Sequence, residues 1–361
     1  EAERLLSDAQ HQIVVLEPNK VTADRIRASL AARGIYGRQI QIITAPSNGM
    51  LLSKYWANLV QSDDLESFPD SILDQAIEAV RPYTGVLRVR PTDERAAVLK
   101  KAVAPRLEFA TRTSEPWIEF HRNSPPEGYD DWTHETAGPA NTFANRDALV
   151  KAPLGLLWFS GYIDRFYTPE FHFQHFRSPY PLVSAGRMFL ITGKYMNAVD
   201  AYTGNFLWKI EMPLTERVKW RYMDSRVYSR PYDRNYIATP DVLYIIFEDE
   251  IHLISAETGK QLDVFTIPAQ IANTDEASIW TEVRLAGDSL CCVIDNTLAC
   301  LDRHSGKLRW QRPSSRAGST YALGGAALYG VDFDAPPNVF RGERTPRKQS
   351  TLFRLDLNTG E

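Results

Sequence analysis

The chain of 361 residues is 43% hydrophobic and 24% charged, an ordinary globular composition that excludes bulk disorder, at a length that favours two domains over one. Its 41 Lys and Arg stand against 45 Asp and Glu, so the net charge of -4 supplies no basic field to hold a nucleic acid. No apolar run approaches the ~20 residues of a membrane helix, and the longest, around Ile40 to Ile43, has the length of a strand.

The start at Glu1 without Met, and the stop at Gly360-Glu361 inside a repeat, are read as those of a piece of a longer protein, with an upstream signal peptide left open. His11 to Leu16 reads as a buried strand ending on Glu17, and Pro18-Asn19 have the residue types of a turn and helix N-cap. The helix then runs to Gly34, which suits the left-handed residue beyond a helix end. Ile40 to Thr44 and Trp56 to Val60 are the next strands. Asp70 caps a second helix whose Ile72, Leu73, Ala76, Ile77 and Val80 form one stripe, halted by Pro82 and followed by the strand Val86 to Val89. Strand and helix alternating at this spacing predict a parallel sheet covered by helices.

The run Val14-Val15-Leu16-Glu17 and the stretch Ala79-Val80-Arg81-Pro82-Tyr83-Thr84-Gly85-Val86-Leu87 resemble the class I S-adenosylmethionine methyltransferases, over roughly residues 1 to 112. The resemblance implies that Glu17, at the tip of its strand, accepts hydrogen bonds from the ribose hydroxyls of an adenosyl ligand, as the equivalent acid does in dinucleotide folds. Asp63 and Asp64 follow the strand Trp56 to Val60, where the family's catalytic side chains often stand. Three departures accompany the likeness. No G-x-G-x-x-G occurs in the chain, Thr44-Ala45-Pro46-Ser47-Asn48 offers no carboxylate to an adenine amine, and the aromatic and proline residues of amino-methylating enzymes are absent. The 361-residue chain is therefore expected not to bind S-adenosylmethionine measurably.

The remaining two thirds repeat. Val199-Asp200-Ala201-Tyr202-Thr203-Gly204 recurs as Ile254-Ser255-Ala256-Glu257-Thr258-Gly259, Leu301-Asp302-Arg303-His304-Ser305-Gly306 and Leu355-Asp356-Leu357-Asn358-Thr359-Gly360. The glycines are spaced 55, 47 and 54 residues apart, near the length of a four-stranded propeller blade. Trp208 and Trp310 lie four residues beyond their glycines, where the second copy has Asp263, and are expected to dock between blades. Leu290 to Ile294, Asp295-Asn296 and Thr297 to Leu301 form the clearest hairpin, whose two-residue turn places Cys291 opposite Cys300. That is a non-hydrogen-bonded pair with Cα atoms ~4.5 Å apart, inside the range a disulfide spans.

These copies resemble the pyrroloquinoline-quinone type repeat of quinoprotein alcohol dehydrogenases and outer-membrane assembly propeller lipoproteins. The likeness covers about Trp132 to Glu361, with Gly138-Pro139-Ala140-Asn141-Thr142 and Leu154-Gly155-Leu156-Leu157-Trp158 as the lead-in. Quinoproteins roof their cofactor with adjacent bonded cysteines, but Cys291-Cys292 sit within a strand beside Leu290 and Val293 and read as small buried hydrophobes. Glu170, His172 and His175 do not share one face of a strand and make no metal site. His134, among Asp130, Asp131 and Glu135, is expected to hydrogen-bond to backbone.

The expected fold is α/β plus all-β. A truncated Rossmann-like, methyltransferase-type sheet covers residues 1–112, a connecting segment 113–147, and an incomplete β-propeller of about four blades 148–361. The expected function is binding or scaffolding by the propeller, toward a protein or small-molecule ligand, in the periplasm or cell envelope of a bacterium, with the cytoplasm as the alternative. A second reading is an S-adenosylmethionine-dependent methyltransferase whose propeller recruits substrate, which requires a glycine-rich loop ahead of Glu1. A third is an oxidoreductase dependent on pyrroloquinoline quinone. Glu17 and Asp63 are the candidate cofactor-binding residues, with no catalytic residue and no metal site assigned.

Overall fold

A computed structural model describes residues 12–37, 39–44, 53–63, 70–90, 92–159, 181–192, 195–212, 236–247, 249–273, 278–314, 320–333 and 350–361. The chain divides into two units, Glu1–Ser124 and Pro125–Glu361. Among the described residues no helix is long and apolar enough to cross a membrane.

In the first unit, strand β1 (Ile13–Glu17) pairs in parallel with β2 (Ile40–Thr44), from Ile13 opposite Ile40 to Glu17 opposite Thr44. Helix α1 (Lys20–Ala32) makes the crossover. Asn19 caps it, its side chain accepting from Thr22 N at 3.0 Å, and Gly34 beyond its end has φ +69°. Ala23 and Leu30 of the helix bury against Ile40 and Ile42, which alternate with exposed Gln41 along the strand. Period 3.6 meeting period 2 on one apolar face is what makes this βαβ module cohere.

A second sheet has the order β3-β4-β6-β5, formed by β3 (Leu59–Ser62), β4 (Gly85–Val89), β5 (Phe109–Ser114) and β6 (Trp117–Arg122). Strands β3 and β4 are parallel, whereas β6 runs antiparallel to both β4 and β5. Helices α2 (Asp70–Ala79) and α3 (Asp93–Val103) supply Leu73, Ile77, Leu99 and Val103 to a core with Leu87, Val89 and Phe120. The parallel pairing expected of the strands read from the sequence holds at β1–β2 and at β3–β4, in two separate sheets, and β6, beyond residue 112, adds an antiparallel strand. The hairpin β5–β6 also carries this unit to Ser124, past the boundary expected at 112, because buried Phe120 and Arg122 tie it to the core. The Arg122 guanidinium donates to Val80 O at 2.9 Å and to Glu108 Oε1 at 3.1 Å.

Among the described residues the second unit contains four antiparallel sheets in chain order. They comprise β7 (Leu182–Ser184), β8 (Arg187–Thr192), β9 (Tyr195–Asp200) and β10 (Phe206–Glu211); then β11 (Tyr236–Ala238), β12 (Val242–Phe247), β13 (Glu250–Ser255) and β14 (Gln261–Thr266). The third has β15 (Trp280–Ala286), β16 (Ser289–Ile294), β17 (Thr297–Asp302) and β18 (Leu308–Pro313), and the fourth β19 (Thr320–Gly324), β20 (Ala327–Phe333) and β21 (Ser350–Asp356). Each is a meander of neighbours, and apolar clusters lie between the first and second, second and third, and third and fourth. Strand β7 packs near β11 and β15 near β19, so the first strand of each sheet is the inner one. Four sheets meeting face to face about their first strands are propeller blades.

The repeated motif is folding chemistry at the corner after the third strand. Asp200 Oδ1 accepts from the N–H groups of Tyr202 and Thr203, Asp302 from His304 and Ser305, and Asp356 from Asn358 and Thr359. Ser255 does the same for Thr258 in the second copy. Each motif ends in a left-handed glycine, with φ +69°, +72°, +66° and +75° at Gly204, Gly259, Gly306 and Gly360. An aromatic ring of the preceding segment lies flat on each. A Cβ would stand 2.3 Å from the Trp158 ring at Gly204, 2.8 Å from Trp208 at Gly259, 2.9 Å from Phe265 at Gly306 and 2.7 Å from Trp310 at Gly360.

Trp208 and Trp310 dock between blades as expected, at 8% and 9% exposure. The second blade is the informative case, because Phe265 rather than residue 263 supplies the ring. It sits two residues further along the same strand, hence on the same face. Gly259→Ala should therefore lose the ~1–2 kcal/mol of a left-handed alanine plus the cost of displacing Trp208. Gly287→Ala, at φ +55° with nothing within 4 Å, should lose only the first part. Chemical denaturation of both variants measures the difference.

Candidate functional site

Glu17 is the last residue of β1, at a carboxyl end as expected, and its Oε1 accepts from Asn19 N at 2.9 Å. It is half-buried, and the Arg27 guanidinium of α1 is engaged by Asp24 at 2.6 Å, Ile42 O and Thr44 Oγ1. Asp63 is exposed, one residue beyond β3. The two carboxylates stand at the ends of strands in separate sheets, and no interaction joins them among the described residues. Asp64 and the stretch Ala45-Pro46-Ser47-Asn48 lie outside the described residues, as do Glu170, His172 and His175.

A second polar constellation lies on the inner strands of the propeller unit. The segment around residues 130–141 crosses the inner strand of all four blades and bonds to each in turn. Trp132 exchanges two backbone hydrogen bonds with Val183 of β7, at 3.0 and 2.8 Å. Thr133 O accepts from Ala238 N of β11 at 3.0 Å, His134 Nε2 from Leu285 N of β15 at 3.2 Å, and Pro139 O from Leu323 N of β19 at 2.9 Å. Asp131 fastens the start, accepting from Tyr129 Oη at 2.7 Å, Ser184 Oγ at 3.2 Å and Ala185 N at 3.3 Å. Burial raises its pKa, which the Tyr129, Ala185 and Ser184 bonds partly offset.

His134 is the keystone of this crossing. Since Nε2 accepts a backbone N–H, the proton is on Nδ1, which donates to Thr133 Oγ1 at 2.8 Å. The expectation of a backbone-bonded histidine holds. Burial, and secondarily the Arg284 charge, lower its pKa to about 3, so the ring is neutral. Arg284 reaches Thr136 Oγ1 at 3.2 Å and Glu282 at 3.5 Å. Glu282 sits in a β-bulge at φ +47°, and burial raises its carboxyl pKa against the opposing pull of Arg284. The hydroxyl of Tyr321 lies against Glu282 O and Cys291 O.

The sequence reading missed Glu282, Arg284 and Tyr321, as no motif marks them. It also missed Tyr244, whose hydroxyl donates to Arg303 O at 3.2 Å. At the equivalent carbonyls Ala201, Ala256 and Leu357 the donors are the indoles of Trp158, Trp208 and Trp310, at 2.9, 3.2 and 2.9 Å. The Phe265 ring carries no N–H, and Tyr244 supplies the bond to Arg303 O.

Blades cornered in this way define a propeller built from the pyrroloquinoline-quinone type of repeat. The chain matches the family described as outer membrane protein assembly factor BamB over residues 166–361, more than half its length, and belongs to that family. A search of curated proteins finds no match. Among solved structures, the chain is similar to quinohemoprotein alcohol dehydrogenase from Comamonas testosteroni, at 14% identity and TM-score 0.44, covering 64% of this chain and 40% of that one. BamB from Moraxella catarrhalis is 15% identical at TM-score 0.30, covering 49% and 45%. Quinohemoprotein alcohol dehydrogenase ADHIIG from Pseudomonas putida HK5 is 14% identical at TM-score 0.43, covering 64% and 39%. The chain thus spans less than half the length of each of these proteins.

Proposed function

We propose that the propeller unit is a protein-binding scaffold of the bacterial envelope, acting in or beside the assembly of outer-membrane proteins. The observation that carries this reading is the crossing segment. It uses the inner-strand N–H groups of Val183, Ala238, Leu285 and Leu323, so a small ligand on that edge of the blades would have to break bonds already made. The outward surfaces and blade edges are then the surfaces offered to a partner, and membership of the assembly-factor family agrees with a protein as that partner. A quinone cofactor is the least supported reading, since Cys291 and Cys292 are buried within β16 and have packing roles there.

A second reading rests on the first unit. The orders β2-β1 and β3-β4, both parallel, correspond to strands 3-2 and 4-5 of a doubly wound sheet ordered 3-2-1-4-5-6. One further parallel strand between β1 and β3 would unite the two sheets into a Rossmann-like methyltransferase-type domain, and Glu17 would end the strand beside it, at the ribose position. The helices α1 and α2 cover such a sheet as crossovers.

Two measurements test these readings together. Photo-crosslinking from exposed blade positions such as Leu262 and Tyr329, in cells, should capture one envelope protein reproducibly and competitively. Capture of none, or of cytoplasmic proteins only, overturns the scaffold reading. Calorimetric titration with S-adenosylmethionine to millimolar concentration should give no saturable heat from this chain. Saturable heat weakened by Glu17→Gln would move the first unit to the enzyme reading.

A further inference from the structure

The main chain sets the same two side-chain positions at successive seams of the propeller. The residue that ends each turn before a second strand accepts from the residue after the corner Asp or Ser: Ala256 N to Asp241 O at 3.0 Å, Arg303 N to Asp288 O at 3.1 Å and Leu357 N to Ala326 O at 2.9 Å. Asp241 and Asp288 are therefore equivalent in the second and third blades, as are Arg303 and Leu357 in the third and fourth. Between the second and third blades the two positions form an ion pair. Arg303 lays its fork on Asp241, Nη1 on Oδ1 at 3.3 Å and Nη2 on Oδ2 at 3.2 Å. Between the third and fourth the acid is kept and the arginine is not, since Leu357 buries its side chain in the apolar cluster of that seam.

The second observation is a cavity of about 530 Å³ at that seam, lined by both members of the broken pair, Asp288 and Leu357, together with Ser289, Arg309, Ala326 and Asn358. The Asp288 side chain is 67% exposed. Among the described residues it is engaged through Oδ1 alone, by His304 Nε2 at 3.1 Å and Arg303 Nε at 3.7 Å, which leaves Oδ2 for a ligand. Arg309 does not take the empty place, because it donates to Asp302 Oδ2 at 2.5 Å and to Ser289 Oγ at 3.2 Å. Asp241, Asp288 and Asp302 thus share only Arg303 and Arg309, and the excess carboxylate calls for one more cation. We propose that this cavity seats an arginine side chain of a partner protein, whose guanidinium meets Asp288 as Arg303 meets Asp241.

The seat rests on the scaffold reading and gives its partner a chemistry, an arginine on an exposed loop or terminus. Arginine fits better than lysine for two reasons. The intact seam shows that the position accepts a planar fork on both carboxylate oxygens, which an ammonium group cannot reproduce. The methylenes of the incoming side chain would also lie along Leu357 and Ala326, apolar parts of the cavity wall, while its charged head stays at the exposed carboxylate. An anionic ligand is disfavoured, because the one cation lining the cavity, Arg309, is already paired with Asp302 and Asp288 would repel it.

The probe is the peptide acetyl-Gly-Arg-Gly-amide, titrated against the 361-residue chain and followed by saturation-transfer NMR on the peptide. Transfer should saturate and be strongest at the arginine methylenes. The same peptide with citrulline, a neutral isostere of arginine, should bind about ten-fold more weakly, with the lysine peptide between them. Asp288→Asn should weaken the arginine peptide about ten-fold, and Leu357→Arg, which restores the internal pair, should abolish its binding. Asp288 is exposed, so its variant keeps the test decisive if Leu357→Arg does not fold. Absence of saturable transfer, equal binding of the citrulline peptide, or no effect of Asp288→Asn overturns the seat. Crosslinking from Leu262 and Tyr329 does not use Asp288 and separates the two readings. A captured partner with no peptide binding removes the seat alone, whereas peptide binding with no captured partner removes the scaffold reading and the partner as the source of the arginine.

Discussion

Trp310→Ala should lower the unfolding free energy by ~3–5 kcal/mol, the range for emptying an aromatic site in a core. The ring is 9% exposed, sits on Gly360 and donates its indole N–H to Leu357 O at 2.9 Å. Two losses therefore combine, the packing of the ring and an orphaned carbonyl. Trp310→Phe separates them, keeping most of the ring and costing ~1 kcal/mol for the bond. The second blade offers an internal control, since nature has already made that separation there. Phe265→Ala should resemble the loss of the Trp310 ring, and Tyr244→Phe the loss of its hydrogen bond to Arg303 O, each read by urea unfolding. If Trp310→Ala cost less than 1 kcal/mol, the ring would not be a blade-joining element.

These seats also show which parts of the molecule the sequence could reveal. The corner of Asp, Thr and Gly is built from bonds between residues two to four apart, so its chemistry is local and the four copies could be read directly. The hairpin register at Cys291 and Cys300 was legible for the same reason, because a two-residue turn determines every pair behind it. Phe265 was not, because a ring moved by two positions keeps its face but leaves the alignment column. The direction of β6 was hidden too. Nothing in Trp117–Arg122 says which way the strand runs, and only its pairing with β4 does. The candidate site was least legible of all. His134 and Leu285 lie 151 residues apart, and the bonds of the crossing segment to the other three inner strands are made by main-chain groups that any residue carries.

Acid should expose the crossing segment as the weak point of the propeller unit. Unfolded His134 takes up a proton near pH 6.5, whereas in the native protein the pKa is about 3. Above pH 6.5 the ring is neutral in both states, and stability does not depend on it. Between about 6.5 and 3 the unfolded chain binds the proton and the native one does not, so stability falls as pH falls, by up to about 1.4 kcal/mol per unit. The whole window amounts to something on the order of 5 kcal/mol. Asp131 and Glu282 oppose this trend, because burial raises their native pKa values and their protonation in acid relieves a desolvated charge. The diagnostic quantity is therefore the difference between wild type and His134→Gln, whose amide oxygen can still accept from Leu285 N but does not titrate. The variant should be somewhat less stable at pH 7.5 and lose much less than wild type on going to pH 4.5, measured by urea unfolding followed through tryptophan fluorescence. Parallel pH profiles would show that burial and the Arg284 charge do not hold His134 neutral in the native protein. A protonated ring cannot accept from Leu285 N–H and would face the Arg284 guanidinium, so protonation and release of the segment from β15 are one event.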